Sequence, residues 1–149
     1  MEIQVEKLVN ALYLVGPSVS KKATLPSTMS VLIGDRKLRA TNLEVDTVVD
    51  LPEAMDPPFL VPFKKFADSV KFMPGRQVAT IEATPQGVRF EVPGITFSLS
   101  GGIEPSEFPA DVVAGDEAVV AEIDGDAFLA GLNEVLPYTA KEESRPVLT

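Results

Sequence analysis

The chain has 149 residues, 45% of them hydrophobic, which suits one globular domain or slightly more and excludes a disordered protein. It contains neither cysteine nor histidine, which excludes disulfides and thiolate metal sites and removes the commonest general base and metal ligand. The net charge of −9 repels nucleic acid on average, so any DNA-binding role requires a local cluster of lysine and arginine.

The chain opens with a predicted strand at Ile3 and Val5, which leads into a helix. Apolar residues at helical spacing predict the buried stripe of this helix: Val5, Leu8, Val9, Leu12 and Val15. The opposite side carries Glu6, Lys7, Asn10 and Tyr13. Gly16-Pro17 ends the helix, and a polar loop that contains Lys21 and Lys22 follows.

Three strands come next, because short apolar or alternating runs are separated by turn residues. They are predicted at Met29–Ile33, Lys37–Thr41 and Glu44–Leu51, with a hairpin turn at Gly34-Asp35. After a proline-rich loop, a short strand at Leu60-Val61 leads into the next helix.

A second helix is predicted within Val61–Gly75, since Pro62 suits the start of a helix and Pro74-Gly75 suits its end. Its apolar stripe consists of Phe63, Phe66, Ala67, Val70 and Met73. The other side carries Lys64, Asp68 and Lys71, with Lys65 beside them, and only Phe72 falls on the wrong face. Taken alone, this pattern is typical of an ordinary surface helix with lysines in water.

Three further strands complete the pattern, at Gln77–Ala83, Val88–Val92 and Ile95–Ser100. The order of one strand, one helix and three strands therefore occurs twice. The two helices also align, since Leu8, Val9 and Leu12 have apolar counterparts 58 residues later. This agreement predicts an internal duplication.

A longer period of 120 residues relates the beginning of the chain to its last part, where Ile3, Leu8 and Pro17 recur as Ile123, Phe128 and Pro137. We expect a first domain at residues 1–118 and the start of a second at residues 119–149. The second would contain a strand at Val119–Ile123, a helix cap at Asp124-Gly125-Asp126 and a helix at Ala127–Leu136. Because so short a module cannot cover its own helix, we expect the chain to be part of a longer protein; alternatively, residues 119–149 dock on the first domain.

Six local motifs, in order along the chain, resemble the bacterial DNA polymerase sliding clamp, the beta subunit of DNA polymerase III. They are Thr24-Leu25-Pro26, Thr41-Asn42-Leu43-Glu44, Val61-Pro62 leading into Lys64-Lys65-Phe66, Phe97-Ser98-Leu99-Ser100, Glu107-Phe108-Pro109 and Glu143-Ser144-Arg145-Pro146-Val147-Leu148-Thr149. The resemblance covers the first clamp domain and the opening of the second, and nothing matches the third. It implies an α+β fold of two βαβββ halves, in which antiparallel sheets back two helices.

The resemblance implies a DNA sliding clamp, a head-to-tail homodimeric ring that encircles duplex DNA and confers processivity on the replicative DNA polymerase. The implied DNA-facing residues are Lys7, Asn10, Lys21, Lys22, Lys64, Lys71 and Arg145. The implied subunit interface contains Lys65, Phe97 and Leu99. No cofactor, metal or catalytic residue is implied, and the DNA polymerase and clamp loader would bind through parts of the family's chain that this sequence lacks.

Two alternatives stay open. Paired carboxylates such as Asp124 and Asp126 could serve an enzyme, but they fit a helix cap, and no phosphate-binding loop or nucleophile motif is present. A clamp-like protein-interaction module without DNA encirclement would explain the apolar strand Ile95–Ser100. No apolar run approaches about 18 residues and the first residues lack the pattern of a signal peptide, so we expect a cytoplasmic protein without a membrane partner.

Overall fold

The computed structural model of the chain describes residues 1–22, 25–84, 87–100, 103–110 and 122–139. The chain divides into two compact units, Met1–Val112 and Val113–Thr149. The predicted domain boundary between residues 118 and 119 lies outside the described residues and stays a prediction. The same holds for the role of Arg145 and for most of the strand predicted at Val119–Ile123.

The described residues of the first unit form eight strands and two α-helices. In chain order they are β1 (Glu2–Gln4), α1 (Val5–Val15), β2 (Ser30–Gly34), β3 (Lys37–Thr41), β4 (Asp46–Asp50), β5 (Phe59–Pro62), α2 (Phe63–Val70), β6 (Val78–Thr84), β7 (Gly87–Val92) and β8 (Ile95–Ser100). One strand, one helix and three strands therefore occur twice, which confirms the predicted α+β architecture of two βαβββ halves.

The strands form two antiparallel four-stranded sheets, ordered β1-β6-β7-β8 and β4-β3-β2-β5. Each sheet contains strands from both halves. The first strand, β1, pairs with β6, where Ile3 lies opposite Ala79. The first strand of the second half, β5, pairs with β2, where Val31 lies opposite Val61. Because each half places its first strand in the sheet of the other, neither half completes a sheet by itself.

Three phenylalanine rings, called the aromatic stack, extend from the buried core to the half-buried Phe97 of the edge strand β8, and the first pair is tilted by 40°. Phe66 of α2 is fully buried, and its ring centroid lies 4.8 Å from that of Phe90 in β7. Phe90 in turn stacks on Phe97 of β8, with a centroid distance of 4.8 Å and an interplanar angle of 10°. Such aromatic pairs contribute stability beyond the area that they bury. The stack therefore fixes α2 against the sheet that ends in β8.

The start of α1 is held by the segment that follows α2. Gln4, at the N-cap position, makes no side-chain capping hydrogen bond. Instead, the N–H of Val5 donates to the carbonyl of Gln77 (2.9 Å), and the N–H of Glu6 donates to the carbonyl of Gly75 (3.1 Å). These carbonyls satisfy two of the N–H groups that the first turn of a helix leaves without a partner.

Two features of the helices differ from the sequence prediction. Val9, predicted in the buried stripe of α1, is 36% exposed because it lies at the edge of that stripe, and Ala11 is buried instead. The second helix ends at Val70, well before Pro74. Pro74 disfavours the helical conformation for the residue before it, Met73. The N–H of Met73 instead closes a tighter turn to the carbonyl of Val70 (3.0 Å).

The turn between β2 and β3 lies at Asp35-Arg36, one residue later than predicted. Both residues have positive φ angles, 48° and 61°. Positive φ at both central positions is the geometry of the two-residue hairpin turn whose twist matches that of the flanking strands. The position of the turn follows from the register, in which Gly34 pairs with Lys37.

The turn before β4 is formed by the Thr41-Asn42-Leu43-Glu44 motif. Asn42 Oδ1 accepts hydrogen bonds from the N–H groups of Glu44 (3.0 Å) and Val45 (2.7 Å). Leu43 takes a positive φ of 74°, and its N–H donates to Thr41 Oγ1 (3.1 Å). Because these N–H groups are used within the turn, β4 begins at Asp46 rather than at the predicted Glu44.

In the second unit, the described residues 122–139 form α3 (Gly125–Val135) and a short 3-10 turn (Leu136–Tyr138). The Asp124 carboxylate accepts a hydrogen bond from the N–H of Ala127 (3.0 Å), which confirms the predicted helix cap. Ile123 is not part of a strand. Within the described parts of the chain, no helix has the length and apolarity needed to cross a bilayer.

Phe90→Ala should lower the free energy of unfolding by about 3–5 kcal/mol, because it removes the middle ring of the stack and leaves a cavity. Urea unfolding followed by circular dichroism measures this loss. Phe72→Ala is the matched control: its ring is 80% exposed, so the change should stay within about 0.5 kcal/mol. Equal losses in the two variants would contradict the central position of Phe90.

Candidate nucleic-acid interface

The candidate interface is the outer surface of α1 and α2, which lie against each other. A shallow groove of about 190 Å³, the α1–α2 groove, runs between them and is lined by Val9, Leu12, Tyr13, Phe63, Ala67, Asp68 and Lys71. On their inner sides, α1 contacts β3 and β4, while α2 contacts β2 and β5. The groove lies between the two helices and is open to solvent at Tyr13, Asp68 and Lys71, which are exposed.

Four of the residues that the sequence predicts to face DNA lie on the two helices or directly after α2, and all are exposed: Lys7, Asn10, Lys64 and Lys71. Lys71 lines the groove, and Lys64, seven residues earlier, lies on the same side of α2. Lys7 precedes Val9 by two residues, which places it about 160° away around α1, on the flank opposite the groove. The structure thus brings Lys64 and Lys71 together and leaves Lys7 apart.

Two neighbours hold the side chain of Lys71. Its Nζ lies 3.1 Å from Oδ1 of Asp68 and 4.9 Å from the centroid of the Phe72 ring. Both members of the ion pair are 55% exposed, and such surface pairs contribute only about 0–1 kcal/mol. The pair therefore restrains Lys71 weakly, and Asp68 competes with any anionic ligand for its ammonium group.

Lys21 and Lys22 are exposed at the start of the loop that follows α1. The N–H of Ser20 donates to the carbonyl of Thr28 (3.0 Å) and closes the base of this loop. Lys21 and Lys22 therefore lie in a loop, as the sequence predicts, and not on either helix. Arg145, the remaining predicted DNA-facing residue, lies outside the described residues.

The residues predicted at a subunit interface lie on β8 and α2. Within the described residues, β8 is an edge strand that pairs only with β7. Phe97 and Leu99 are half-buried, and Phe97 already belongs to the aromatic stack. Lys65 is exposed on α2, next to the buried Phe66. The apolar side chains of β8 therefore serve the core and still keep part of their surface available.

Sequence reasoning placed Tyr13 and Phe72 outside the apolar stripes but gave them no role, and it did not single out Leu14. Tyr13 is 81% exposed, Leu14 is 57% exposed, and Phe72 is as exposed as Tyr13. The available signals were the position of Tyr13 outside the buried stripe of α1 and that of Phe72 on the polar side of α2. Large exposed rings beside lysines are a feature of surfaces that bind nucleic acid, because bases stack on them.

The Glu107-Phe108-Pro109 motif anchors the segment that follows β8. Phe108 is buried, and the guanidinium carbon of Arg39 lies 5.3 Å from the centroid of its ring. Arg39 also forms an ion pair with Asp46 at 2.8 Å, in which the side chains are only 11% and 17% exposed. This motif therefore has a structural role, since a partly buried ion pair and an aromatic ring hold the segment against β3 and β4.

Of the paired carboxylates Asp124 and Asp126, which could have served an enzyme, Asp124 caps α3. In the part of the chain that the structure describes, no three acidic side chains come together where they could hold a metal ion.

No protein-family model matches the sequence, and no curated protein matches it. Solved structures do match. The DNA polymerase III subunit beta of Pseudomonas aeruginosa is 27% identical, with a TM-score of 0.83 over 99% of this chain. Another structure of the sliding clamp from that organism is 30% identical over 74% of this chain, with a TM-score of 0.64. The beta subunit from the DNA polymerase of Streptococcus pyogenes is 17% identical, with a TM-score of 0.82 over 99% of this chain.

These similarities confirm the resemblance and the fold that the sequence motifs predict. The chain spans 41%, 32% and 42% of the three matched chains, in the same order. The similarity to the Streptococcus pyogenes protein concerns the fold alone.

Asp68→Asn should strengthen the binding of a duplex oligonucleotide, because it frees the ammonium group of Lys71. The slope of log K against log salt concentration should steepen by up to about 0.9, the value for one more phosphate contact. Fluorescence anisotropy over a series of salt concentrations measures both the affinity and this slope. Glu82→Gln makes the same charge change at an exposed position of β6 and should alter both much less. Similar effects in the two variants would mean that only net charge matters.

Proposed function

We propose that this chain, which has the fold of the bacterial DNA polymerase III beta sliding clamps, is the first domain and the start of the second domain of a DNA sliding clamp. In the complete protein, two subunits join head to tail into a ring that encircles duplex DNA and confers processivity on the replicative polymerase. The protein is an accessory subunit and catalyses no reaction. The observation that carries the proposal is the match to a solved clamp over 99% of this chain, with a TM-score of 0.83.

The charge of the helix pair supports a DNA-facing role. The chain as a whole has a net charge of −9. On α1, on α2 and at the residue that follows α2, four lysines outnumber two carboxylates: Lys7, Lys64, Lys65 and Lys71 against Glu6 and Asp68. A surface that is basic in an otherwise acidic chain attracts a polyanion locally, whereas the rest of the molecule repels it.

A closed ring needs only weak contacts with the DNA that it encloses. Phosphate contacts from lysines are independent of sequence and correspond to dissociation constants of about 10⁻⁴–10⁻⁶ M at physiological salt. Enclosure then retains the DNA while each contact forms and breaks. The exposed pair of Lys71 with Asp68 fits this requirement, because a lysine that already shares its charge binds phosphate weakly and allows sliding.

We place the subunit interface at β8. The free hydrogen-bonding groups of an edge strand favour pairing with a strand of another chain, and natural proteins usually cover such an edge. In the proposed ring, a domain of the neighbouring subunit covers β8, with Phe97 and Leu99 in the contact and Lys65 contributing charge.

The edge of β8 also fits the alternative of a clamp-like protein-interaction module that does not encircle DNA. The basic surface of the helix pair favours the clamp, because such a module has no need of a local charge reversal. We therefore propose duplex DNA as the partner of this part of the protein. The DNA polymerase and the clamp loader would be partners of the complete protein, which would act in the cytoplasm.

Replacing Lys22, Lys64 and Lys71 together by glutamate in the complete protein should shorten its half-life on nicked circular DNA by on the order of tenfold, because phosphate contacts are lost. Gel filtration of the loaded DNA over time measures this half-life. The control replaces Lys37, Arg76 and Arg89, exposed residues outside the helix pair, by glutamate. An unchanged half-life in the first variant, or the same loss in both, would argue against the proposed DNA-facing surface.

Leu99→Ser should weaken the association of subunits in the complete protein, because it places a hydroxyl group in the proposed apolar contact. Sedimentation over a range of concentrations measures the dissociation constant. Val78→Ser, at a more exposed position on the inner strand β6, is the control. Unfolding of both variants of the present chain separates a loss of fold stability from a loss of association. Unchanged association of the Leu99 variant would contradict the interface at β8.

A further inference from the structure

The geometry points to the α1–α2 groove as a binding site for one unpaired base of single-stranded nucleic acid. This inference rests on the proposed function only in taking the helix pair as the surface that meets DNA. The proposed clamp contacts involve phosphates of duplex DNA, whereas the groove would contact a base that has left the duplex.

The size and lining of the groove suit a single aromatic ring. Its volume of about 190 Å³ is below the range of about 300–1,000 Å³ that is usual for drug-sized ligands. The walls are apolar, formed by Val9 and Leu12 on α1 and by Phe63 and Ala67 on α2. Only the rim carries charge, through Asp68 and Lys71.

Tyr13 is the residue on which a base would stack. Its ring lines the groove and stays largely exposed to solvent, so it is available to a ligand. The core does not require Tyr13, because the inner side of α1 is already formed by the buried residues Leu8, Ala11 and Leu12. Stacking of a base on an aromatic side chain does not depend on which base it is, since every base presents a π-face.

Charge complementarity selects nucleic acid over an apolar peptide as the occupant. The ammonium group of Lys71 is held at the rim of the groove by Asp68, with an Nζ–Oδ1 distance of 3.1 Å. Lys64 lies on the same side of α2. A nucleotide presents an apolar ring and a phosphate together: the ring matches the apolar groove, and the phosphate would compete with Asp68 for the ammonium group of Lys71. Duplex DNA keeps its bases stacked inside, so only an unpaired base fits.

The test uses the tyrosine content of the chain. It has two tyrosines and no tryptophan, so Tyr138→Phe leaves Tyr13 as the sole fluorophore of its kind. This variant is titrated at low salt with an oligothymidylate, with an abasic deoxyribose-phosphate oligomer of the same length and with a short duplex. We expect quenching of Tyr13 by the oligothymidylate, after correction for absorption by the DNA, and little quenching by the other two.

Affinities are then measured by the anisotropy of labelled oligomers. Tyr13→Ser should weaken oligothymidylate binding by about 5- to 150-fold, the range for the loss of one stacked base, and should leave abasic and duplex binding unchanged. Tyr13→Phe should retain the affinity, because the ring is kept. Leu14→Ser, at an exposed position of α1 outside the groove lining, is the matched control and should change the affinity less than about twofold.

Three results would overturn the inference: equal affinity for the abasic oligomer and the oligothymidylate, equal quenching by the duplex, or quenching that depends on protein concentration without DNA. The last result would assign the groove to a second copy of the chain. The outcome for the proposed function is separate, because duplex binding that depends on Lys64 supports it in each of these cases. If no oligomer binds at low salt, the inference about the groove fails, whereas the proposed function is decided separately by the half-life of the complete protein on circular DNA.

Discussion

The aromatic stack between α2 and the sheet β1-β6-β7-β8 decides which side of α2 faces outward. Phe66 reaches from the helix to Phe90, so the direction of its side chain is fixed by the core. Lys64 and Lys71 lie about 140–160° from Phe66 around the helix and must therefore point away from the sheet. The basic surface and the groove beside it are thus consequences of core packing rather than independent features.

Much of the fold was predictable from short-range patterns. The spacing of Val5, Leu8, Leu12 and Val15 identifies α1, and Lys37–Thr41 and Ile95–Ser100 were placed with the bounds that the structure has. The pairing of strands was not predictable, since nothing local in Ile3 or Val61 indicates that its strand joins the sheet of the other half. Pairing depends on contacts between residues that are far apart in the sequence.

The exposure of the candidate site residues followed from helical periodicity, which put Lys64 and Lys71 on the polar side of α2. The contacts that surround these lysines could not be predicted in this way. The ion pair of Lys71 with Asp68 and the contact with the ring of Phe72 depend on side-chain rotamers. The groove depends on how closely two helices approach each other. The prominence of Tyr13 could have been inferred from the sequence, because a large ring outside an apolar stripe has no place in the core.

The exchange of first strands between the two halves has a consequence for synthesis of the chain. The last residue of β1 is Gln4, and its partner β6 begins at Val78, 74 residues later. At a translation rate of about 5–20 residues per second, β1 is synthesised about 4–15 s before its partner. The hairpins β2-β3 and β3-β4 have no such delay, because their strands are neighbours in the sequence. All four strands of the sheet β4-β3-β2-β5 are therefore synthesised before the partner of β1 exists.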